Sequence, residues 1–113
     1  NASILHSAGA SEVHMRIACP PLLFPCEFLN FSQSRTPMDL AGRKAIFQLD
    51  GENADPGEYT DPDSERYMNM VKKIAETLKL DSLMYQRLDD MVNAIGLPKE
   101  KLCTHCWDAS SYY

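Results

Sequence analysis

The sequence lacks a basic cluster. Eleven Lys and Arg stand against sixteen Asp and Glu, for a formal net charge of −5, and nowhere do basic and aromatic residues interleave. Gripping a phosphate backbone requires the opposite balance, so nucleic acid is not an expected partner. No apolar run approaches the roughly 18 residues that cross a bilayer, and no basic segment followed by an apolar one opens the chain. No membrane contact is expected, and the expected location is cytoplasmic. Equally missing are a Gly-rich phosphate loop, a nucleophile elbow, an HExxH pair, the carboxylate spacing of a calcium loop and any internal repeat. The residues on their own show no catalytic machinery. Four cysteines would allow two disulfides, but six methionines, long helical periodicities and no signal peptide argue against a stapled secreted scaffold. Reduced thiols or metal ligands are favoured.

What is present fits at most one small domain: 113 residues, 44% of them apolar. Asn1-Ala2 resembles the scar of tag removal, which leaves 3–113 as one unit, expected to be a piece of something larger. Ile4 to Ala8 reads as the end of a helix closed at Gly9. From Glu12 to Ala18, Val13, Met15 and Ile17 alternate with polar residues, a strand with one buried face that stops at Pro20-Pro21. Helix then strand is half of a βαβ unit, and the parallel neighbour that such a unit needs is expected to lie outside this sequence. Self-association through the strand's open edge is expected in consequence.

Pro20 to Arg35 has no period but is rich in Leu and Phe, so it must pack against something. Thr36-Pro37-Met38-Asp39 has the composition of a helix start, and the helix should run to about Asp50 with Leu40, Ala41, Ala45, Ile46 and Leu49 on one face. The Gly-, Pro- and acid-rich stretch 51–63 is expected to be a flexible loop with little to bury. Asp61-Pro62 opens a helix to about Leu80, striped by Met68, Val71, Ala75 and Leu78 and flanked by Ile74. Asp81 to Tyr85 is a candidate strand, and Leu88 to Ile95 a last short helix closed by Gly96.

The chemistry concentrates in Leu102-Cys103-Thr104-His105-Cys106-Trp107. Two cysteines three apart can aim both thiolates at one metal from a single turn of backbone, and they make half of a tetrahedral site. A thioredoxin-like role suits the position poorly, since that motif opens a fold. Cys19, Cys26 and the histidines are the candidates for further ligands, although buried free cysteine is common as a small apolar residue. His105 is expected to point away from a shared metal, His14 to be a surface or packing residue, and His6 has no partner that sequence can name. Asp89 and Asp90 read as a solvated edge rather than an acid/base pair.

Taken in order, EVHMRIACPPLLFPC and DSLMYQRLDDMVNAIGLPKEKLCTHCW resemble the C-terminal part of the glutamine amidophosphoribosyltransferases. In that family a stretch like AGA-x-EVH-x-RI-x-SPP-x-x-x-PC follows the phosphoribosyl pyrophosphate loop. A DSL-x-Y strand, a short helix and a Cys-x-x-Cys with a following aromatic residue come near the C-terminus. The resemblance covers most of the chain outside about Gly51 to Asp63. It implies an α/β fold that is partial, the C-terminal portion of a type I phosphoribosyltransferase domain, mostly helices with one or two short strands. It also implies a parent enzyme that transfers glutamine-derived ammonia to phosphoribosyl pyrophosphate, giving phosphoribosylamine in purine synthesis. The glutaminase cysteine and the phosphoribosyl pyrophosphate loop are not in this sequence, so the chain alone should be inactive, and Mg and phosphoribosyl pyrophosphate would bind elsewhere in the parent.

In the iron-sulfur branch, a structural 4Fe-4S cluster takes one upstream cysteine and three that match Cys26, Cys103 and Cys106. Cys19 stands where the family often has Ser and is not expected to be a ligand. Leu29-Asn30-Phe31 replaces a GID-type stretch, and Arg87 stands where a Ser often caps the last helix. The implied partners are the rest of the phosphoribosyltransferase and glutaminase domains. In the isolated chain the three cysteines would hold zinc or nothing. The competing readings are a small zinc-stabilised interaction module that uses all four cysteines, and a metal-free helical domain whose apolar surface binds a partner.

Overall fold

The computed structural model describes residues 2–28 and 36–111. Its first helix, α1 (Ala2–Ser7), ends as expected at Gly9, whose φ of 103° is free of strain without a Cβ. The amides of Gly9 and Ala10 close that end on the carbonyls of His6 and Leu5. Next comes β1 (His14–Ile17), with Val13 buried just before it, Met15 and Ile17 turned to the core, and His14 and Arg16 exposed.

β1 pairs in parallel with β2 (Ser82–Tyr85), His14 opposite Ser82 and Ile17 opposite Tyr85. This corrects the expectation that the parallel neighbour lies outside the sequence. A parallel pair needs a long crossover, and here residues 18–81 supply it, so the partner stands far downstream instead of one helix upstream. Both ends of the ladder are secured: Asp81 donates its amide to the Val13 carbonyl (2.8 Å) and accepts the Val13 amide on its carboxylate (2.7 Å), and the Gln86 amide reaches the Ile17 carbonyl (3.0 Å).

The crossover carries α2 (Ala41–Asp50) and α3 (Glu65–Leu78), which pack on each other and cover one face of the sheet. The segment from Thr36 is not one helix. A 3-10 turn at Pro37–Asp39 gives way to extended backbone at Leu40 (φ −79°, ψ 127°), which carries that side chain into the interior before α2 begins. α3 starts later than expected. The Asp61 carboxylate is taken by the Asp63 amide (2.9 Å), and Ser64 becomes the cap, accepting the Tyr67 amide (3.2 Å). The core side of α3 is Met70 and Ile74, whereas Met68 and Leu78 are exposed. Met68, Val71 and Ala75 line an open groove with Leu83, Met84 and Tyr85.

Stretch 51–63 contains a 3-10 turn, Pro56–Tyr59, and Tyr59 is fully buried in the core, which the expectation of little to bury did not foresee. Arg66 lies over its ring and pairs with Glu58 at 3.0 Å. Arg87 clamps Asp63 with two 2.9 Å bonds and holds that exposed carboxyl below its ordinary range. Arg87 precedes α4 (Leu88–Ile95), which Gly96 closes as expected, and Asp89 and Asp90 on its first turn are exposed. The last helix is α5 (His105–Asp108). Among the described residues no helix is long and apolar enough to cross a membrane. Leu29-Asn30-Phe31 and the rest of 29–35 lie outside the described residues. The chain is thus a small α/β piece with a two-stranded parallel sheet.

Gly42 has the tightest surroundings of the glycines: a Cβ there would stand 2.6 Å from Leu23 Cδ2 and 3.3 Å from the Leu22 carbonyl oxygen. Gly42→Ala should lower stability by about 1 kcal/mol in urea denaturation, overpacking outweighing the helix propensity gained. A raised midpoint would refute the close packing. Tyr59→Ala should cost about 3–5 kcal/mol. Tyr59→Phe should be neutral or stabilising, because the buried Tyr59 hydroxyl has no hydrogen-bond partner among the described residues.

Candidate metal centre

α5 is a single helical turn held by its own polar side chains. Thr104, just before it, is 2% exposed, and its hydroxyl meets Asp108 Oδ1 at 2.8 Å and the Ser110 hydroxyl at 2.7 Å. The Ser110 amide also donates to Oδ1 (2.9 Å), and Lys99 Nζ to Oδ2 (2.6 Å). Burial works to raise the Asp108 carboxyl, but Lys99, the Ser110 amide and the two hydroxyls together hold it below its ordinary value. This network fixes the backbone between the two cysteines. Sequence reasoning passed over it, although Thr104 and Asp108 stand four apart, the spacing of neighbours on a helical turn.

The distant loop is tied to that turn. The amides of Leu23 and Phe24 both donate to the Cys106 carbonyl, at 2.9 and 3.1 Å. The His105 ring lies against Phe24 and Phe28, with centroids 6.2 and 5.9 Å apart, the second edge-on. These contacts set the segment that carries Cys26 against the turn that carries Cys106. Burial, then Cys26, then Cys103, push that thiol's pKa up. The three sequence-predicted site residues therefore share one neighbourhood. Cys19 neighbours Tyr85 instead, and none of the four cysteines is in a disulfide.

The donors fit a metal group in kind, since a thiol such as Cys106, which resists ionising beside its neighbours, gains from a cation. Their spacing is looser: among the described residues no group of three or more His, Cys, Asp or Glu stands close enough to hold a metal ion. His105 packs on aromatic rings, with Nε2 4.0 Å from Glu27. His14 is the surface residue expected, bonded to Glu12 (2.9 Å) and, across the strand pair, to Ser82 (2.7 Å). His6 reaches the Lys79 carbonyl at 3.3 Å and so joins α1 to the end of α3.

A relative from Methanothermobacter thermautotrophicus, named amidophosphoribosyltransferase, is 30% identical over 105 residues, 93% of this chain. One of the same name from Mycobacterium bovis is 31% identical over 106 residues, and one from Methanocaldococcus jannaschii 29% over 104. This chain is a relative of the amidophosphoribosyltransferases. It spans 17%, 16% and 16% of the length of those three proteins. No family model and no solved structure matches the chain.

Two measurements test the site as described. The carboxyl of Asp108 is depressed in the folded chain, so its stabilising contribution is present above the unfolded pKa and is lost as pH falls through the folded one. Emission of Trp107, the only tryptophan, should shift on acidification below about pH 4, and Asp108→Asn should produce the shift at neutral pH. A variant with wild-type emission would deny the network its role. Separately, the pH profile of Cys106 alkylation should have a midpoint above that of a free thiol and move down in Cys26→Ser. An unmoved midpoint would show that the two thiols are not neighbours.

Proposed function

We propose that this chain is the C-terminal portion of the type I phosphoribosyltransferase domain of an amidophosphoribosyltransferase from the iron-sulfur branch. The parent transfers glutamine-derived ammonia to phosphoribosyl pyrophosphate, giving phosphoribosylamine for purine synthesis. This segment's part in it is architectural. Cys26, Cys103 and Cys106 are three ligands of a 4Fe-4S cluster, and the fourth comes from the rest of the parent. The observation that carries the reading is that Cys26 and Cys103, 77 positions apart in the sequence, both act on the Cys106 thiol.

When bound, the cluster supplies strong thiolate bonds between the tail and a loop far upstream, a structural function. The chain's own residues prepare that tie. Leu23 and Phe24 dock the loop on Cys106, and Asp108 fixes the turn between the thiols. Catalytic groups, Mg and phosphoribosyl pyrophosphate belong to the remainder of the parent, and the isolated chain is inactive and holds zinc or no metal. A free-standing zinc module has no support: the three relatives compared are named as enzymes, and each is much longer than this chain.

The remainder of the phosphoribosyltransferase domain and the glutaminase domain cover the apolar surface left open, including Met84 at 59% and Ile4 at 66% exposure. Without them the chain self-associates. Full-length protein purified without oxygen should contain iron and sulfide, and Cys103→Ala should lose both. An iron-free, sulfide-free parent indifferent to that substitution would remove the cluster from the reading. Light scattering on the concentrated chain should show oligomers, and a strict monomer would count against self-association.

A further inference from the structure

Two buried polar atoms have no hydrogen-bond partner among the described residues, the hydroxyl of Tyr59 and Nε1 of Trp107. They belong to distant parts of the chain, the 3-10 turn of stretch 51–63 and the helical turn α5. Keeping either atom from water without a partner carries the full desolvation penalty of a polar group. Both residues nevertheless line one and the same cavity, of about 20 Å³, to which Gln86 and Asp108 also contribute.

Size and chemistry together select the occupant. A single water needs roughly 10–15 Å³ by this measure, so the cavity takes one water and nothing much larger. The indole N–H can only donate, which calls for an acceptor and turns away a metal ion or an ammonium group. A phenol hydroxyl donates or accepts, and a glutamine amide does both, so a water there meets the two to four polar partners that hold a buried water in place.

We propose that Tyr59, Trp107 and Gln86 form the binding site of one buried water, which accepts from Trp107 Nε1, bonds the Tyr59 hydroxyl and so ties stretch 51–63 to the turn that carries Cys106. The ring of Tyr59 supplies packing to the core, and its hydroxyl reaches the water. Tyr59→Phe removes hydroxyl and water together. Freedom returned to the released water offsets the lost bonds, so the variant keeps its stability and loses the tie.

Oxygen-17 relaxation dispersion on the folded chain tests the site, because it counts long-lived waters by their oxygen and is blind to exchanging hydroxyl protons. The wild-type chain should hold at least one such water, and Tyr59→Phe, which keeps the ring, should lower the count by one without lowering the melting temperature. Trp107 is the only tryptophan, so its indole N–H gives a single proton resonance, which should move upfield in the same variant as its bond to the water is lost. A wild-type chain with no long-lived water, or a count that Tyr59→Phe leaves unchanged, would overturn the proposal. A lost water with an unmoved indole resonance would overturn the bridge, since that water would belong to Tyr59 alone.

Discussion

Leu23 is the residue on which the core and the thiol site both depend. Its side chain, 1% exposed, fills the space left by Gly42 beside Met70. Its amide donates to the Cys106 carbonyl, and its own carbonyl accepts Arg43 Nη1 at 3.0 Å. Burying a leucine is worth about 1.5–3 kcal/mol, against roughly 0.5–1.5 kcal/mol net for each backbone hydrogen bond. The packing therefore holds the loop in place, and the bonds to the tail inherit a position already set. Cys26, three residues on, is carried with it.

This coupling explains which features could be read from sequence. Gly9, Gly51 and Gly96 end their helices in positive-φ conformations, and the alternation around β1 points the expected side chains inward. Those signals are local. Leu40 and Tyr59 obey a tertiary demand instead. Leu40 leaves helical backbone to reach the interior, and Tyr59 sits in an acidic stretch whose composition hides its only fully buried ring. α3 shows the same limit from the other side. Of its legible stripe, Met68, Val71, Ala75 and Leu78, the first three border the groove beside β2 and Leu78 is exposed, while Met70 and Ile74 join the core. The site divides in the same way. Spacing marked Cys103 and Cys106 as a pair, but only family resemblance singled out Cys26, because no local period connects positions so far apart.

The surface is consistent with a piece of a larger body. A radius of gyration of 15.0 Å exceeds the ~13 Å expected of a self-contained domain of this length. Large apolar side chains lie open at both ends of the chain order, Ile4 and Leu5 early, Ile95 and Leu97 late. Single exposed apolar residues need no account, but a groove joining a helix face to a strand carries a desolvation gain that only a partner realises.

Around Cys106 the same physics runs at smaller scale. A neutral, half-buried thiol beside other thiols costs little, whereas a thiolate there meets lost hydration first and then its neighbours, which is why its pKa is raised. The fold therefore favours the protonated form of Cys106 beside its neighbouring thiols. Any process that removes their protons must offset that penalty with something stronger than a hydrogen bond, such as a cation that takes several thiolates at once. Packing at Leu23 and the Asp108 network set the loop and the turn in advance, so such a cation finds both segments already placed.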